Sequence, residues 1–196
     1  MTAEPEHGYA SRGGLKLAAA LDALALDVRG LECADFGCST GGFTDCLLTR
    51  GAARVIAIDT GYGVLDYRLR TDERVDVRER TNALHAEAPD GGVDLVVADM
   101  SWTPQRLVVP AAMGWLRAGG RLVTLIKPHY EAKGAPEEAA LDRGVLPEAE
   151  AEAVARRVAE RIGARGLVRS PILGGKKKSR GNVEFLALVE KEEPSP

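Results

Sequence analysis

The sequence is poor in cysteine and in long apolar runs. Three cysteines occur among 196 residues, at positions 33, 38 and 46, and no two of them form a Cys-x-x-Cys pair. Their number and spacing support neither a disulfide framework nor a metal site, so buried thiols and no metal are expected. No apolar run approaches the ~18 residues of a membrane span, and residues 1–7 lack the order of a signal peptide. We therefore expect a cytoplasmic protein without a membrane partner.

The chain also lacks an excess of positive charge, since 26 basic residues stand against 29 acidic ones. The formal net charge is −3, which by itself argues mildly against a nucleic-acid partner. One stretch, residues 169–180, contains basic residues and no acid: Arg169, Lys176, Lys177, Lys178 and Arg180. Such a run is either a solvated loop or a segment that binds phosphate groups, and composition leaves both possibilities open.

Strand-like and helix-like patterns alternate along the chain. We predict strands at residues 31–36, 54–59, 75–79, 93–99 and 121–127, and helices at residues 42–50, 65–70, 104–117 and 147–164. Two further strands, residues 167–173 and 183–189, have no helix between them and are expected to pair antiparallel. The pattern predicts an α/β fold with a doubly wound, mostly parallel, Rossmann-like seven-stranded sheet whose last strand is antiparallel.

The boundaries of the elements follow from local signals. Ser11 is expected to cap a first helix that continues to about Asp27. Pro104 suits the first turn of a later helix, and Gly119-Gly120 suits its end. The terminal segments, residues 1–8 and 192–196, are polar and rich in proline and glutamate, so we predict flexible tails around a single domain of residues 9–191.

The most informative segment joins the first predicted strand to the following helix. It reads Asp35-Phe36-Gly37-Cys38-Ser39-Thr40-Gly41-Gly42-Phe43. Glycine-rich turns at this place in α/β proteins bind nucleotide-like ligands, because glycine permits positive φ and close approach and the helix start offers N–H groups. Asp59 ends the next strand, at a spacing typical of a carboxylate that binds ribose hydroxyls.

The spacing of the glycines separates two nucleotide classes. A dinucleotide fingerprint, G-x-G-x-x-G, wraps around a pyrophosphate, but Ser39 stands where its middle glycine is usual. Asp35 would repel a pyrophosphate and suits a cation. S-adenosylmethionine carries a sulfonium and an α-ammonium, so it is favoured over NAD and over a turn that binds nothing.

Charged residues also stand at the ends of two other strands. Asp99 ends the fourth strand and Lys127 ends the fifth, and apolar residues run up to both. Ligands bind beyond the carboxyl ends of parallel strands, so we expect both side chains near the ligand and within reach of each other. A structural ion pair is the alternative. Lys16 in the first helix and Glu184 in an apolar strand are less obvious, and the residues alone do not pair them.

Seven segments together resemble the FtsJ-type ribose 2′-O-methyltransferases, and more closely their TlyA branch, whose members are known as haemolysins and as ribosomal RNA methyltransferases. They run in order at residues 9–17, 35–46, 54–62, 79–83, 94–101, 125–128 and 181–185. The resemblance implies the methyltransferase sheet with its last strand antiparallel. It also implies a Lys-Asp-Lys-Glu catalytic tetrad, whose members fall on Lys16, Asp99, Lys127 and Glu184.

The resulting hypothesis is an S-adenosylmethionine-dependent enzyme that methylates a ribose 2′-hydroxyl of RNA, with ribosomal RNA as the expected substrate. The expected donor-binding residues are Asp35, Gly37, Ser39, Thr40, Gly41, Gly42, Phe43, Asp59, Asn82 and Asp99. Lys127 is the candidate general base, and which lysine starts neutral stays open because coupled groups titrate as a unit. The expected RNA-binding residues are Lys176, Lys177, Lys178 and Arg180.

Two features differ from the TlyA branch. Its members usually carry a small RNA-binding domain before the segment that begins at Ser11, and that domain is expected to be absent because the chain starts ten residues earlier. The acidic composition is also unusual for a partner of ribosomal RNA. A small-molecule O-methyltransferase and a non-catalytic, haemolysin-like protein therefore stay as alternatives. Residues 100–102 and 128–130, which follow the tetrad positions Asp99 and Lys127, differ from the residues that are usual there in the family. Such differences would alter the acceptor pocket.

Overall fold

A computed structural model describes residues 8–175 and 181–193. The strands are β1 (Glu32–Phe36), β2 (Arg54–Ile58), β3 (Val75–Arg78), β4 (Val93–Ala98), β5 (Leu116–Ile126), β6 (Gly166–Arg169) and β7 (Phe185–Glu190). The helices are α1 (Gly13–Ala23), α2 (Gly42–Thr49), α3 (Tyr67–Arg70), α4 (Gln105–Trp115), α5 (Pro128–Glu131) and α6 (Glu148–Arg161), with a 3₁₀ turn at Pro136–Ala140. The described residues contain no helix that is both long and apolar enough to cross a membrane.

All seven strands form one sheet in the order β3-β2-β1-β4-β5-β7-β6. The five strands β1 to β5 are parallel, and β7 runs antiparallel between β5 and β6. The predicted fold class, including the antiparallel last strand, is confirmed. The chain leaves β1 toward β2 and β3 and then returns to the other side of β1 with β4, which creates a topological switch point between β1 and β4.

Both faces of the sheet are covered, as a parallel sheet requires. Alternate residues of β2 divide between the faces, with Val55 and Ala57 packing in the cluster that contains α1 and α2. Ile56 and Ile58 point the other way, into the cluster that contains residues of α4. The residues of α6 pack farther along the sheet, against Phe185 and its neighbours. This double cover places the polar strand ends at the edge of an otherwise apolar body.

Several predicted boundaries differ from the structure. The first helix ends at Ala23 rather than near Asp27, because Ala25 adopts a left-handed φ of 51° that a helix cannot continue. Ser11 precedes the N-cap residue Arg12, and its hydroxyl accepts the N–H of Gly13 at 3.3 Å. The prediction of Ser11 as the N-cap residue is therefore wrong by one position.

The segment between α4 and β5 also departs from the prediction. Pro104 is the N-cap of α4 rather than part of its first turn, and the helix ends at Trp115. The next strand starts at once, so Gly119-Gly120 lies inside β5, where the pairing with β4 shifts its register. Strand β6 is shorter than predicted, because the hydroxyl of Ser170 donates to the carbonyl of Ile172 and turns the chain.

Two predictions concern residues that lie wholly or mostly outside the described part of the chain. The expected flexible tails, residues 1–8 and 192–196, have only residues 8, 192 and 193 in that part. The basic residues Lys176, Lys177, Lys178 and Arg180 lie outside it entirely.

Candidate active site

A cavity of about 770 Å³ opens beyond the carboxyl ends of the strands at the switch point. Strand β1 contributes Asp35, while Asp99 and Lys127 follow β4 and β5 directly. Lys16 reaches the cavity from α1, and Glu184 reaches it from the residue before β7. The fold thus brings side chains from five separate elements to one place.

Four of these side chains form a continuous chain of ion pairs. The Nζ of Lys127 lies 2.5 Å from Oδ1 of Asp99, and the Nζ of Lys16 lies 3.9 Å from Oδ2 of the same carboxylate. Lys16 also donates to Oε2 of Glu184 at 2.6 Å. The side chains of Glu184 and both lysines are almost fully buried, and that of Asp99 is about one-quarter exposed. Lysines and acids alternate along this chain, so each buried side chain lies beside a group of opposite sign.

The glycine-rich turn is held both by a hydrogen bond of its own, from the N–H of Gly41 to the carbonyl of Cys38, and by bonds across the sheet. The N–H groups of Gly37 and Cys38 both donate to the carbonyl of Ile58, and the N–H of Asp99 donates to the carbonyl of Phe36. These bonds fix the turn between β2 and β4. The exposed hydroxyl-bearing residues Ser39 and Thr40 then face the cavity.

The glycines of this turn are required by the packing of the protein itself. Gly37 and Gly41 do adopt positive φ, at 82° and 99°. A Cβ on Gly37 would meet the carbonyl of Asp99, and one on Gly41 would meet Leu65 and Leu69, so protein atoms occupy those directions. A Cβ on Gly42 would meet Ser11. Packing of the turn against the protein therefore excludes side chains at these positions. Gly37 and Gly42 also line the cavity, and Gly41 does not.

Asp35 is fully buried below the turn. Its Oδ2 accepts both the N–H of Thr44, at 3.0 Å, and the hydroxyl of Thr44, at 2.7 Å. Its Oδ1 is buried and has no hydrogen-bond partner among the described residues. Burial, with a smaller contribution from the nearby Asp99 and Asp59, raises the pKa of Asp35 to about 7, although the hydrogen bonds from Thr44 oppose the rise. The unpartnered oxygen marks a place for a ligand donor.

A smaller cavity of about 390 Å³ continues from the first along the ends of β1, β2 and β4. Gly37, Ser39 and Asp99 line both cavities, while Asp59 and Asn82 line the smaller one. The carboxylate of Asp59 accepts the N–H of Ser39 at 2.8 Å and that of Gly61 at 2.7 Å. All the predicted donor-binding residues except Gly41 thus line one or both of two connected spaces, with Phe43 and Thr40 in the larger one.

The sequence interpretation missed part of the cavity wall. Residues 142–145 form a tight hairpin, closed by two backbone hydrogen bonds between Asp142 and Val145. Asn182 fastens it by accepting the N–H of Leu146 and donating to the carbonyl of Gly144, both at 2.9 Å. This loop has no apolar periodicity, so no pattern in the sequence indicated it.

The aromatic residues that follow two tetrad positions also line the cavity. Trp102 and Tyr130 stack with ring centroids 4.7 Å apart, and His129 lies 4.1 Å from the ring of Tyr130. Burial lowers the pKa of His129 to about 4, helped by the positive charges of Lys127 and Lys133, so its ring is neutral at physiological pH. The variation that we noted at residues 100–102 and 128–130 does reach the cavity.

The predicted RNA-binding run cannot be placed, since it lies outside the described residues, but its neighbours can. Gly175 and Gly181, on either side of it, both line the larger cavity. The guanidinium of Arg12 donates to the carbonyl of Gly175 at 2.8 Å. The chain therefore leaves and re-enters the described part of the molecule at the edge of the candidate site.

The chain resembles known proteins over most of its length. The protein from Mycobacterium tuberculosis named 16S/23S rRNA (cytidine-2′-O)-methyltransferase TlyA is 51% identical over 130 residues, which are 65% of this chain and 48% of that protein. YqxC of Bacillus subtilis, named as a candidate rRNA methyltransferase, is 40% identical over 187 residues, 91% of this chain and 64% of that protein. The chain thus spans about half to two thirds of the length of these curated relatives.

Solved structures also resemble this chain over nearly its whole length. A candidate hemolysin from Streptococcus thermophilus superposes with a TM-score of 0.83 at 36% identity, over 99% of this chain and 70% of that one. A second, from Lactococcus lactis, has a TM-score of 0.82 at 35% identity, over 94% of this chain and 89% of that one. The model of the FtsJ-like methyltransferase family matches residues 9–186. With that match and these relatives, the chain belongs to the FtsJ-like methyltransferase family.

Proposed function

We propose that the protein transfers a methyl group from S-adenosylmethionine to a ribose 2′-hydroxyl of ribosomal RNA. The observation that carries this proposal is the buried chain of Glu184, Lys16, Asp99 and Lys127 at the switch-point cavity. The name of the Mycobacterium tuberculosis relative, which specifies cytidine 2′-hydroxyls of 16S and 23S rRNA, supports the choice of acceptor.

The residues of the cavity fit a cationic methyl donor. S-adenosylmethionine supplies an electrophilic methyl group on a sulfonium. The unpartnered Oδ1 of Asp35 suits its α-ammonium, because a buried anion is stabilised by a positive donor. Residues 37–43 would hold the remainder of the methionine part. Asp59 would bind the ribose hydroxyls, and Asn82, which lines the smaller cavity, would bind the adenine.

Lys127 is the proposed general base. A ribose hydroxyl is a weak nucleophile, so a positioned group must take its proton as the new C–O bond forms. Lys127 acts in its neutral form at that moment, and Asp99, 2.5 Å away, both aims the amine and stabilises the ammonium that results. Glu184 pairs with Lys16 and so balances the charge of the second lysine. Positioning of the hydroxyl in line with the departing sulfur supplies much of the remaining acceleration.

We further propose that residues 9–191 act as one methyltransferase domain. RNA is its macromolecular partner, and the basic residues 176–178 and 180 help to hold it. The placement of Gly175 and Gly181 on the cavity wall supports this, since the run between them starts and ends beside the proposed acceptor.

The test is an incubation with isotopically labelled S-adenosylmethionine and three alternative acceptors: ribosomal subunits, total RNA and small phenols such as catechol. Nucleoside mass spectrometry should detect a new 2′-O-methylnucleoside in the ribosomal RNA. Label on the phenols alone would replace the proposal by a small-molecule O-methyltransferase, and no transfer to any acceptor would favour a non-catalytic role.

Two variants of Lys127 distinguish a base from a positioning cation. Lys127→Ala should lose roughly 10²–10⁴-fold in single-turnover rate, which is typical for loss of a general base. Lys127→Arg keeps a positive charge beside Asp99, but its guanidinium does not deprotonate, so it should be as inactive. An active Lys127→Arg variant would contradict the assignment. Calorimetry with S-adenosylhomocysteine serves as the control for donor binding.

A further inference from the structure

A separate cavity of about 730 Å³ adjoins the catalytic cavity, and the proposed mechanism does not use it. The rings of Trp102 and Tyr130 line both spaces, so this aromatic pair stands between them. The far walls come from α4, α6 and residues 131–137. If one unit of a polymeric substrate occupies the catalytic cavity, a neighbouring unit can lie in this second cavity.

Of the aromatic pair, Trp102 is exposed and Tyr130 is half-buried. Trp102 is 72% exposed, and its φ of 62° is uncommon for a bulky residue. Its ring is tilted by 31° from that of Tyr130, with the centroids 4.7 Å apart. The Nζ of Lys133 lies 5.3 Å from the centroid of Trp102 and 5.8 Å from that of Tyr130. An exposed π face beside a cation is a surface on which a nucleic-acid base can stack.

The second cavity carries a surplus of positive charge. Its lining includes four cations, Arg106, Lys133, Arg157 and Arg161, against the two acids Glu131 and Glu137. Glu137 is engaged with Arg157. Within the described part of the chain, Arg106, Lys133 and Arg161 have no carboxylate within 4.0 Å, and all three residues are exposed. Arg161 and Arg106 lie near enough to Glu131 to oppose the rise that burial causes in its pKa, so this one carboxyl offsets them only in part. A surplus of cations in a cleft attracts anionic ligands.

We propose that this second cavity is a subsite for an unstacked nucleotide that neighbours the target nucleotide. Its base stacks on the pair of Trp102 and Tyr130, and Arg106 and Arg161 bind its phosphate. The inference rests on the proposed function and adds the path by which the RNA leaves the catalytic cavity.

The subsite favours single-stranded RNA. Bases can stack on protein side chains only when they are splayed out of a helix, as in loops and bulges. Stacking accepts any base, and phosphate contacts carry no sequence information. The second cavity would therefore strengthen binding without specifying sequence, and the choice of target would come from elsewhere.

The first test measures RNA binding by the variant Arg106→Gln/Arg161→Gln. The probe is a fluorescein-labelled 12-nucleotide oligocytidylate, followed by fluorescence anisotropy over a series of salt concentrations. Binding should weaken about tenfold at low salt. The negative slope of log K against log salt should become shallower by about 1.4, because two phosphate contacts are lost and each contact to a single strand contributes about 0.7. The variant Arg29→Gln/Arg156→Gln removes the same charge from exposed positions outside this cavity, and it should behave as the parent.

The second test uses the two tryptophans of the chain. Trp115 is 3% exposed and packs edge-on against Phe36, so only Trp102 can contact RNA. In protein saturated with S-adenosylhomocysteine, addition of the unlabelled oligonucleotide should quench tryptophan fluorescence. The variant Trp102→Phe should show no quenching, although anisotropy still reports binding.

The outcomes separate the two proposals. If the parent methylates ribosomal RNA but shows no quenching on binding the oligonucleotide, or if Arg106→Gln/Arg161→Gln matches the control variant, the subsite is wrong and the proposed function stands. A parent that neither binds nor methylates RNA would overturn both. Circular dichroism and thermal unfolding of each variant identify a loss of fold.

Discussion

The buried carboxyl of Asp35 leads to a prediction in which stability and ligand binding change in opposite directions. In the variant Asp35→Asn, the amide oxygen can still accept both hydrogen bonds from Thr44. The variant removes the ionisable group, which is fully buried and whose pKa is raised from 3.8 to about 7. The change therefore isolates the free energy of burying this charge.

The magnitude follows from the pKa. Between pH 3.8 and about 7 the folded protein holds a proton on Asp35 that the unfolded chain releases, so the free energy of unfolding of the parent falls as pH rises through this window. One pKa unit corresponds to about 1.4 kcal/mol. The stability of Asp35→Asn relative to the parent should therefore increase by about 2–3 kcal/mol between pH 5 and pH 8. Any constant cost of the new amide cancels in this comparison.

Ligand binding should respond in the opposite direction. If the ionised carboxylate binds the α-ammonium of the donor, the parent should bind S-adenosylhomocysteine about tenfold more weakly at pH 6 than at pH 8, since only about a tenth of Asp35 is ionised at pH 6. Asp35→Asn should bind about tenfold to a hundredfold more weakly than the parent at pH 8. The affinity of Asp35→Asn should not show the parent's change between pH 6 and pH 8, because the variant lacks the ionisable carboxyl.

Urea denaturation at pH 5, 6, 7 and 8, together with calorimetry at pH 6 and 8, measures both quantities. The control is Asp27→Asn. Asp27 is exposed, and its hydrogen bonds with Arg29 hold its pKa at about 2, so it is ionised throughout this range and its replacement should leave the pH dependence unchanged. A stability difference between Asp35→Asn and the parent that does not vary with pH would refute the reasoning.

Three further changes test other parts of the site. Asp59→Ala should reduce the affinity for S-adenosylhomocysteine, measured by calorimetry, about tenfold to a hundredfold. Because Asp59 also accepts two backbone N–H groups, thermal unfolding of the variant is measured as a control. Unchanged affinity would place the donor elsewhere. Glu184→Gln removes the charge that pairs with Lys16, so single-turnover methylation should slow while S-adenosylhomocysteine binding is kept; a normal rate would exclude Glu184 from the mechanism. Replacing the three lysines of residues 176–178 by Gln should lower the salt slope of RNA binding by about 2, and a slope equal to that of the parent would indicate a solvated loop.

The alternation of apolar patterns was sufficient to predict the order of strands and helices, because buried parallel strands leave a strong local signal. It also located Asp35, Asp59, Asp99 and Lys127 at strand ends, where the topology must bring them together. The short helix α5 and the 3₁₀ turn at Pro136–Ala140 were not predicted, since they are too short to show periodicity.

The remaining features depend on residues that are distant in the sequence. Lys16 and Glu184 lie 168 positions apart, and the resemblance to a family, not the local pattern, indicated their pairing. The stacking of Trp102 on Tyr130 likewise joins a loop to the short helix α5, and neither aromatic carries a signal in the sequence. For Gly37, the sequence indicated positive φ correctly but not that the carbonyl of Asp99 occupies the space beside it.

The ion pair between Lys16 and Glu184 joins the beginning of the chain to its end. Lys16 belongs to the first helix, and Glu184 immediately precedes a last strand that inserts between β5 and β6. The amine of Lys16 therefore gains this carboxylate only when β7 has taken its place between β5 and β6. The four-residue chain of ion pairs is thus complete only when the whole sheet has formed, so a loss of β7 pairing would disturb the candidate site even with β1, β4 and β5 in place.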